Sequence, residues 1–211
     1  IRTDAIRIIP LGGLGEVGRN MMLFEYAGKI LIVDMGFRMP EEDMPGIDYI
    51  IPNISYLQGR QKDIVGIFIT HGHYDHIAAI PYLIEKLGYP PIFTAPLSKA
   101  IILRRQEDFS HLKPLDITEV KAGEKVVLAP FRLEFVHMTH NIPHDLALYI
   151  QTPVGNILHS SDWKFDETPM FDMPSDFEKY AELGNRGVDL LLSDSTGAEN
   201  PGRTISEKTI M

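Results

Sequence analysis

Short runs rich in branched and aromatic residues come in two blocks along this chain, and each block gives way to helical stretches. That order leaves few ways to bury the apolar side chains. In the first block "AIRIIPLGG" runs into a glycine-rich turn, "MMLFEYAGKILIVDMG" reads as a hairpin around Ala27, Gly28 and Lys29, and "DIVGIFIT" is a short β-branched run. "HIAAIPYLIEKLG" then has helical spacing and stops at Gly88, with Pro81 placed to shorten or bend it. "PIFTA" is strand-like, and "PLSKAIILRRQEDF" reads as a further helix with Pro96 near its start. The second block is "KVVLA", "FRLEFVHMT", "DLALYIQT" and "GNILHSS". A capping box from Ser175 to Glu178 opens the helix "SDFEKYAELGNRG", and "VDLLLSDST" reads as a buried strand ending in polar residues. The expectation is an α/β fold in which two sheets pack together with helices outside.

Composition narrows the functional classes. With 211 residues, 44% hydrophobic and 23% charged, the chain is ordinary for a globular protein. No apolar stretch approaches the roughly 20 residues that cross a bilayer, and the start lacks the layout of a secretory signal. A soluble, cytoplasmic protein without membrane association is expected. "TISE", with Thr204 and Glu207, is a second capping box close to Met211, and the first residue is not methionine, so a piece of a longer protein is expected. The net charge of −9 argues against indiscriminate attraction to nucleic acid, although Lys99, Arg104, Arg105, Lys113 and Lys164 could line an approach. Cysteine is absent, so a metal site must use imidazole and carboxylate, which points to catalytic rather than structural zinc.

The stretch "ITHGHYDHIAAIPYL" supplies such groups. In an extended segment residues two apart point the same way, so His71 and His73 can serve one ion. Asp75 and His76 follow where the chain turns into the helix and can reach a position beside it. A two-metal site needs further donors at strand ends on the same edge. His140, after "RLEFVHM", and Asp162, after "NILHSS", are the candidates. Asp34 ends "ILIVD" in the same manner and could orient a histidine through its second ring nitrogen. His144 is close enough to His140 to enter the site, though a solvated loop position fits it equally. His137 and His159 lie inside strand-like runs and read as packing residues, and His111 as surface.

The motif H-x-H-x-D-H, here His71, His73, Asp75 and His76, resembles that of the metallo-β-lactamase fold superfamily. Longer stretches, among them "IIPLGGLGEVGRNMMLFEY", "FITHGHYDHIAAIPYL", "MTHNIPHDLALYIQTPVGNILHSSDWKFDETP" and "LLLSDSTGAENPGRTISE", resemble the ribonuclease J family within its β-CASP branch. The resemblance implies an αββα sandwich over residues 1–195, lacking its C-terminal completing segment, with 196–211 starting a β-CASP domain. It further implies that His71, His73 and His140 hold one zinc, that Asp75 and His76 hold a second, and that Asp162 bridges them. Asp194 in "SDST" corresponds to a family carboxylate motif. A further histidine for the second metal is implied beyond this chain. Three places depart from the family pattern: Tyr74 stands where an acidic residue is common, "NIPHD" replaces a serine-isoleucine-proline-aspartate-serine pattern, and "DMPSD" is shorter than the glycine-containing turn often found there.

The activity so implied is cleavage of RNA, both 5′-to-3′ exonucleolytic and endonucleolytic, by a metal-activated hydroxide, with Asp75, His76 and Asp162 as the catalytic groups. Single-stranded RNA with a 5′-monophosphate would be the substrate, the full-length protein a homo-oligomer, and an RNA-degradation assembly a possible partner. Zn2+ is the expected ion, with Mn2+ or Mg2+ as alternatives. Two rivals are a hydrolase of a small ester, thioester or lactone, because a fold alone does not fix function, and a noncatalytic RNA-binding subunit. The presence of all six presumed ligands in this span disfavours the last.

Overall fold

A computed structural model describes residues 4–210. The first sheet contains β1 (Arg7–Gly12), β2 (Met21–Tyr26), β3 (Lys29–Val33), β4 (Ile64–Ile69), β5 (Ile92–Thr94) and β6 (Ile117–Glu119), adjacent in chain order. β1, β2 and β3 pair antiparallel, and β3 to β6 pair parallel. The hairpin falls where the sequence places it: Tyr26 pairs with Lys29, and Ala27 and Gly28 take φ of 51° and 78°. Positive φ at both loop residues is what a two-residue turn needs to follow the strand twist. Parallel neighbours require crossovers: α1 (Tyr74–Ile77) and α2 (Ile80–Leu83) lie in that from β4 to β5, α3 (Pro96–Gln106) in that from β5 to β6, and a long loop with two short 3-10 turns joins β3 to β4.

The second sheet has the order β11-β10-β9-β8-β7, from β7 (Lys125–Leu128), β8 (Phe131–His137), β9 (Leu146–Thr152), β10 (Gly155–His159) and β11 (Leu190–Leu192). Its pairs are antiparallel except β10 with β11. α4 (Phe177–Arg186) covers its outer face, and α5 (Glu207–Ile210) is the last element described.

Strand alternation sorts the core into three layers. Leu23, Ile30, Ile32, Ile67 and Ile69 turn toward Ile77, Ile80, Leu83 and Ile102 of the helices. Their neighbours Phe24, Leu31, Val33 and Phe68 meet Phe131, Leu133, Phe135, Leu148 and Ile150 of the second sheet, with Phe68 and Phe135 stacked at 5.1 Å. Val136, Ala147 and Tyr149 pack against Leu183 of α4. Helices, sheet, sheet and helix form the expected αββα sandwich.

Several local readings change. The stretch expected as one helix up to Gly88 splits into α1 and α2, because Pro81 in the first turn of α2 has no N–H and Ala79 donates to Met35 O instead. Asp176, not Ser175, caps α4, accepting from Lys179 N at 3.0 Å. The Ser175 hydroxyl is taken by the Thr139 N–H at 3.0 Å. Glu207 does not close a capping box either: its carboxylate accepts from Met170 N and Lys164. "VDLLLSDST" forms an edge strand rather than a buried one, with Leu191 57% exposed.

Candidate metal centre

Four loops meet at one rim, each leaving the end of a strand. Asp34 follows β3, His71 to His76 follow β4, His140 follows β8 and Asp162 follows β10. His71 Nε2 lies 2.9 Å from His73 Nδ1, and His140 Nε2 lies 3.3 Å from the same atom. Donor atoms of these three residues all lie within 4.8 Å of one another, and the same holds for His71, His76 and Asp162. His76 Nε2 is 3.4 Å from Asp162 Oδ2 and 3.5 Å from Asp75 Oδ2. Asp162 Oδ2 also stands 3.8 Å from His140 Nε2, so its carboxylate faces both groups.

The rings are fixed from behind. Asp34 Oδ2 accepts from His76 Nδ1 at 2.8 Å, and Asp34 Oδ1 accepts from the Thr70 N–H at 2.9 Å. The Thr70 hydroxyl has one proton, which it gives to Asp34; its lone pair then faces His71 Nδ1 at 3.0 Å. This chain of donors leaves the Nε2 lone pair of neutral His71 directed into the cluster. Asp34 achieves its pose at φ 62°, a left-handed conformation uncommon outside glycine, and Ser161 beside Asp162 has the same φ. Strain of this kind persists only where surrounding bonds enforce it.

Burial, followed by repulsion from His76, His140 and His73, holds His71 well below the ordinary imidazole pKa. His73 is lowered, chiefly by burial. Burial also takes His140 down to about 4. Burial would lower His76 too, but Asp34, Asp162 and Asp75 around it raise its pKa well above the ordinary value. Burial works against the charged forms of Asp75 and Asp162, yet contact with His76 leaves both lowered. Three neutral imidazoles with converging lone pairs beside two ionised carboxylates form a nitrogen and oxygen donor set suited to zinc or manganese. The residues present therefore fit a divalent ion.

Other residues tie the loops together without a signal that sequence reasoning used. Asn20 Nδ2 donates to Asp75 Oδ2 at 3.3 Å and faces His76 Nε2 at 3.0 Å. Gly36 allows α1 to approach, since a Cβ there would stand 1.4 Å from Asp75 O. Asp145, fully buried, has Oδ1 3.6 Å from His71 Nδ1 and accepts from Ser161 Oγ at 2.6 Å, while its Oδ2 lacks a hydrogen-bond partner. Burial drives its pKa well up. Its position in "NIPHD" beside His140 was the available clue.

The remaining candidates separate. Asp194 lines a cleft of about 510 Å³ together with Asp34, His76 and Asp162, and its Oδ1 accepts from Thr196 N at 2.8 Å. His144 is exposed at φ 67°, with its N–H on Asp172, and is not brought into the cluster. His137 donates to Met173 O at 2.7 Å outside the cluster, whereas His159 lines the same cleft as His76. Among the basic residues, Lys99, Arg104 and Lys164 pair with carboxylates, Lys113 lies over Tyr89, and Arg105 lies over Tyr74. Among the described residues no helix is long and apolar enough to cross a membrane.

A family model described as the metallo-beta-lactamase superfamily matches residues 14–189. The chain is similar over its whole length to Ribonuclease J of Synechocystis sp., at 40% identity and spanning 33% of that relative. It is also 40% identical over 98% of its length to Ribonuclease J of Helicobacter pylori, of which it spans 30%. The chain thus spans about a third of the length of these curated relatives. A solved structure titled as a protein of unknown function from Enterococcus faecalis shares the fold, with a TM-score of 0.71 at 18% identity, covering 96% of this chain and 52% of that one.

Proposed function

The chain belongs to the metallo-beta-lactamase superfamily, and on that premise we propose that it is the metal-holding part of a ribonuclease of the ribonuclease J kind, hydrolysing RNA phosphodiesters in RNA processing and decay. The observation that carries the reading is the meeting of His71, His73, His140, His76 and Asp162 at one rim, in a chain similar to ribonuclease J along its whole length. In this reading residues 1–195 are the metallo-β-lactamase part and 196–211 begin a β-CASP part.

His71, His73 and His140 would hold one divalent ion, Asp75 and His76 a second, and Asp162 both; zinc suits the donor set best, with manganese or magnesium as alternatives. Such ions supply Lewis acidity toward a phosphoryl oxygen and make a nearby water more acidic. The chain's own residues orient the donors. Asp34 and Thr70 fix the tautomers of His76 and His71, Asn20 holds Asp75, and Asp162 spans the two groups. The cleft beside His76, Asp162 and Asp194 leaves one side of the cluster open, and there the scissile phosphate would lie. The proposed substrate is single-stranded RNA carrying a 5′-monophosphate, attacked from its end or internally.

The test uses the full-length protein that carries this chain. Degradation of 5′-monophosphorylated single-stranded RNA is expected, with loss on chelation and loss in His73→Ala and Asp162→Ala proteins that remain folded. Undiminished RNA cleavage by His73→Ala would sink the reading, and turnover of thioesters or lactones without RNA cleavage would favour the small-ester hydrolase.

A further inference from the structure

Beside the cluster runs a second groove of about 670 Å³ whose walls include Val17, Phe37, Met39 and Tyr74, and which Asp75 also lines. Val17 is 74%, Met39 65% and Tyr74 49% exposed, so the groove shows solvent an apolar and aromatic wall next to a residue of the proposed metal site. Tyr74 sits between His73 and Asp75 in sequence and begins α1, so its ring is anchored within one residue of the cluster.

The ring is braced from one side. The Arg105 guanidinium carbon lies 4.9 Å from the Tyr74 centroid, 5.9 Å from that of Phe37 and 5.7 Å from that of Phe109. Phe37 meets Tyr74 edge to face at 6.1 Å. Arg105 forms no ion pair among the described residues, and its buried Nε has no hydrogen-bond partner. Arg38, which also lines the groove, is instead paired with Glu16 at 2.9 Å and with Glu41. Arg105 does not itself line the groove, whose charged lining is Arg38 with Glu16, Glu41 and Asp75, so its part is to brace the Tyr74 ring from behind.

We propose that Tyr74, backed by Arg105 and flanked by Phe37, is a stacking subsite for one base of single-stranded RNA, adjacent to the phosphodiester held at the histidine and aspartate cluster. This rests on the reading of the protein as a ribonuclease. A tyrosine with one face on a cation and half its surface open offers a π surface at low conformational cost, and stacking on such a ring is tolerant of base identity. Tyr74 is therefore a positioning residue that sets where the strand lies relative to the cluster.

The experiment removes bases rather than the protein's metal site. Single-stranded RNAs carrying one abasic nucleotide, walked through the positions around the cleaved bond, are given to metal-loaded full-length protein as wild type, Tyr74→Phe, Tyr74→Leu and Tyr74→Ala. In wild type and Tyr74→Phe one position is expected where base removal lowers kcat/KM by about tenfold. In Tyr74→Leu and Tyr74→Ala that sensitivity should vanish, with KM for intact RNA raised by about the same factor. A second readout needs no turnover: RNA with 2-aminopurine at that position, bound after chelation, should be quenched by wild type and Tyr74→Phe but not by Tyr74→Leu. Equal abasic sensitivity in all four proteins, or equal quenching, overturns the subsite. If wild type binds RNA with Tyr74-dependent quenching but cleaves none, the subsite stands and the ribonuclease reading fails.

Discussion

Single atoms decide how firmly the cluster is held. Asp34 is the acceptor that sets the ring of His76 and, through Thr70, that of His71. Asp34→Ala is expected to lower divalent-metal affinity by about 10- to 100-fold, measured by titration calorimetry with Zn2+, while far-UV circular dichroism stays unchanged. An unchanged affinity would mean that the histidines keep their orientation without it. Gly36→Ala tests the close approach: its Cβ would meet Asp75 O at 1.4 Å, so α1 must move. A loss of about 3 kcal/mol or more is expected in urea unfolding, together with lost metal binding. The six candidate donors, which the structure brings to one rim, were legible in sequence because each ends an apolar run or lies in a dense motif. Asn20 was not, because an amide that touches the cluster only through tertiary packing leaves no periodic trace, and Asp145 offered only its place in "NIPHD" beside His140. His144, near His140 in the chain, is exposed, as the solvated loop reading of that position has it.

At the scale of elements, apolar runs told most where a strand is buried on both faces, as in β2 and β3, and least where a proline or an edge intervened. Pro81 divides a stretch whose apolar spacing alone reads as one helix, and β11 is apolar yet exposed because it lies at the sheet edge among the described residues. The joint between α4 and the second sheet illustrates a constraint that apolar patterning cannot reveal. Glu134 on β8, with a side chain 1% exposed, accepts from Arg186 Nη1 at 2.6 Å and lies 2.5 Å from Lys179 Nζ, both from α4. The hydrogen bond from Arg186 is the chief cause holding its pKa at about 2 against an ordinary 4.5. Because the folded value is depressed, the stabilisation is fully present above about pH 4.5 and is lost as pH falls toward 2. Glu134→Gln should cost about 3 kcal/mol in urea unfolding at pH 7, since it leaves the cations on an uncharged partner. The gap from wild type should narrow steadily in titrations run from pH 4.5 downward; a gap independent of pH would assign the loss to packing instead.

Across the whole molecule, the candidate donors belong to different sheets. His71, His73, Asp75 and His76 extend from β4 in the first, whereas His140 and Asp162 extend from β8 and β10 in the second. The inner core already joins these sheets through Phe68 on Phe135, so the fold does not depend on an ion to bring them together. An ion bound at the rim would add a clasp between them, present only in the native state, because the unfolded chain cannot assemble donors about 90 residues apart. At Zn2+ about 100-fold above its dissociation constant the clasp contributes about 2.7 kcal/mol. For a chain of this size that amounts to a rise of about 5 to 10 °C in melting temperature. Differential scanning calorimetry with and without Zn2+ should show this rise in wild type and its removal by chelator. His140→Ala and Asp162→Ala each cut the link on the second sheet's side, and their metal-dependent rise should shrink to a small fraction while the melting temperature of the metal-free protein stays within a few degrees of wild type. A full rise in both variants would mean that Zn2+ is bound by the first sheet's loop alone, and the two sheets would then share a core but not a metal centre.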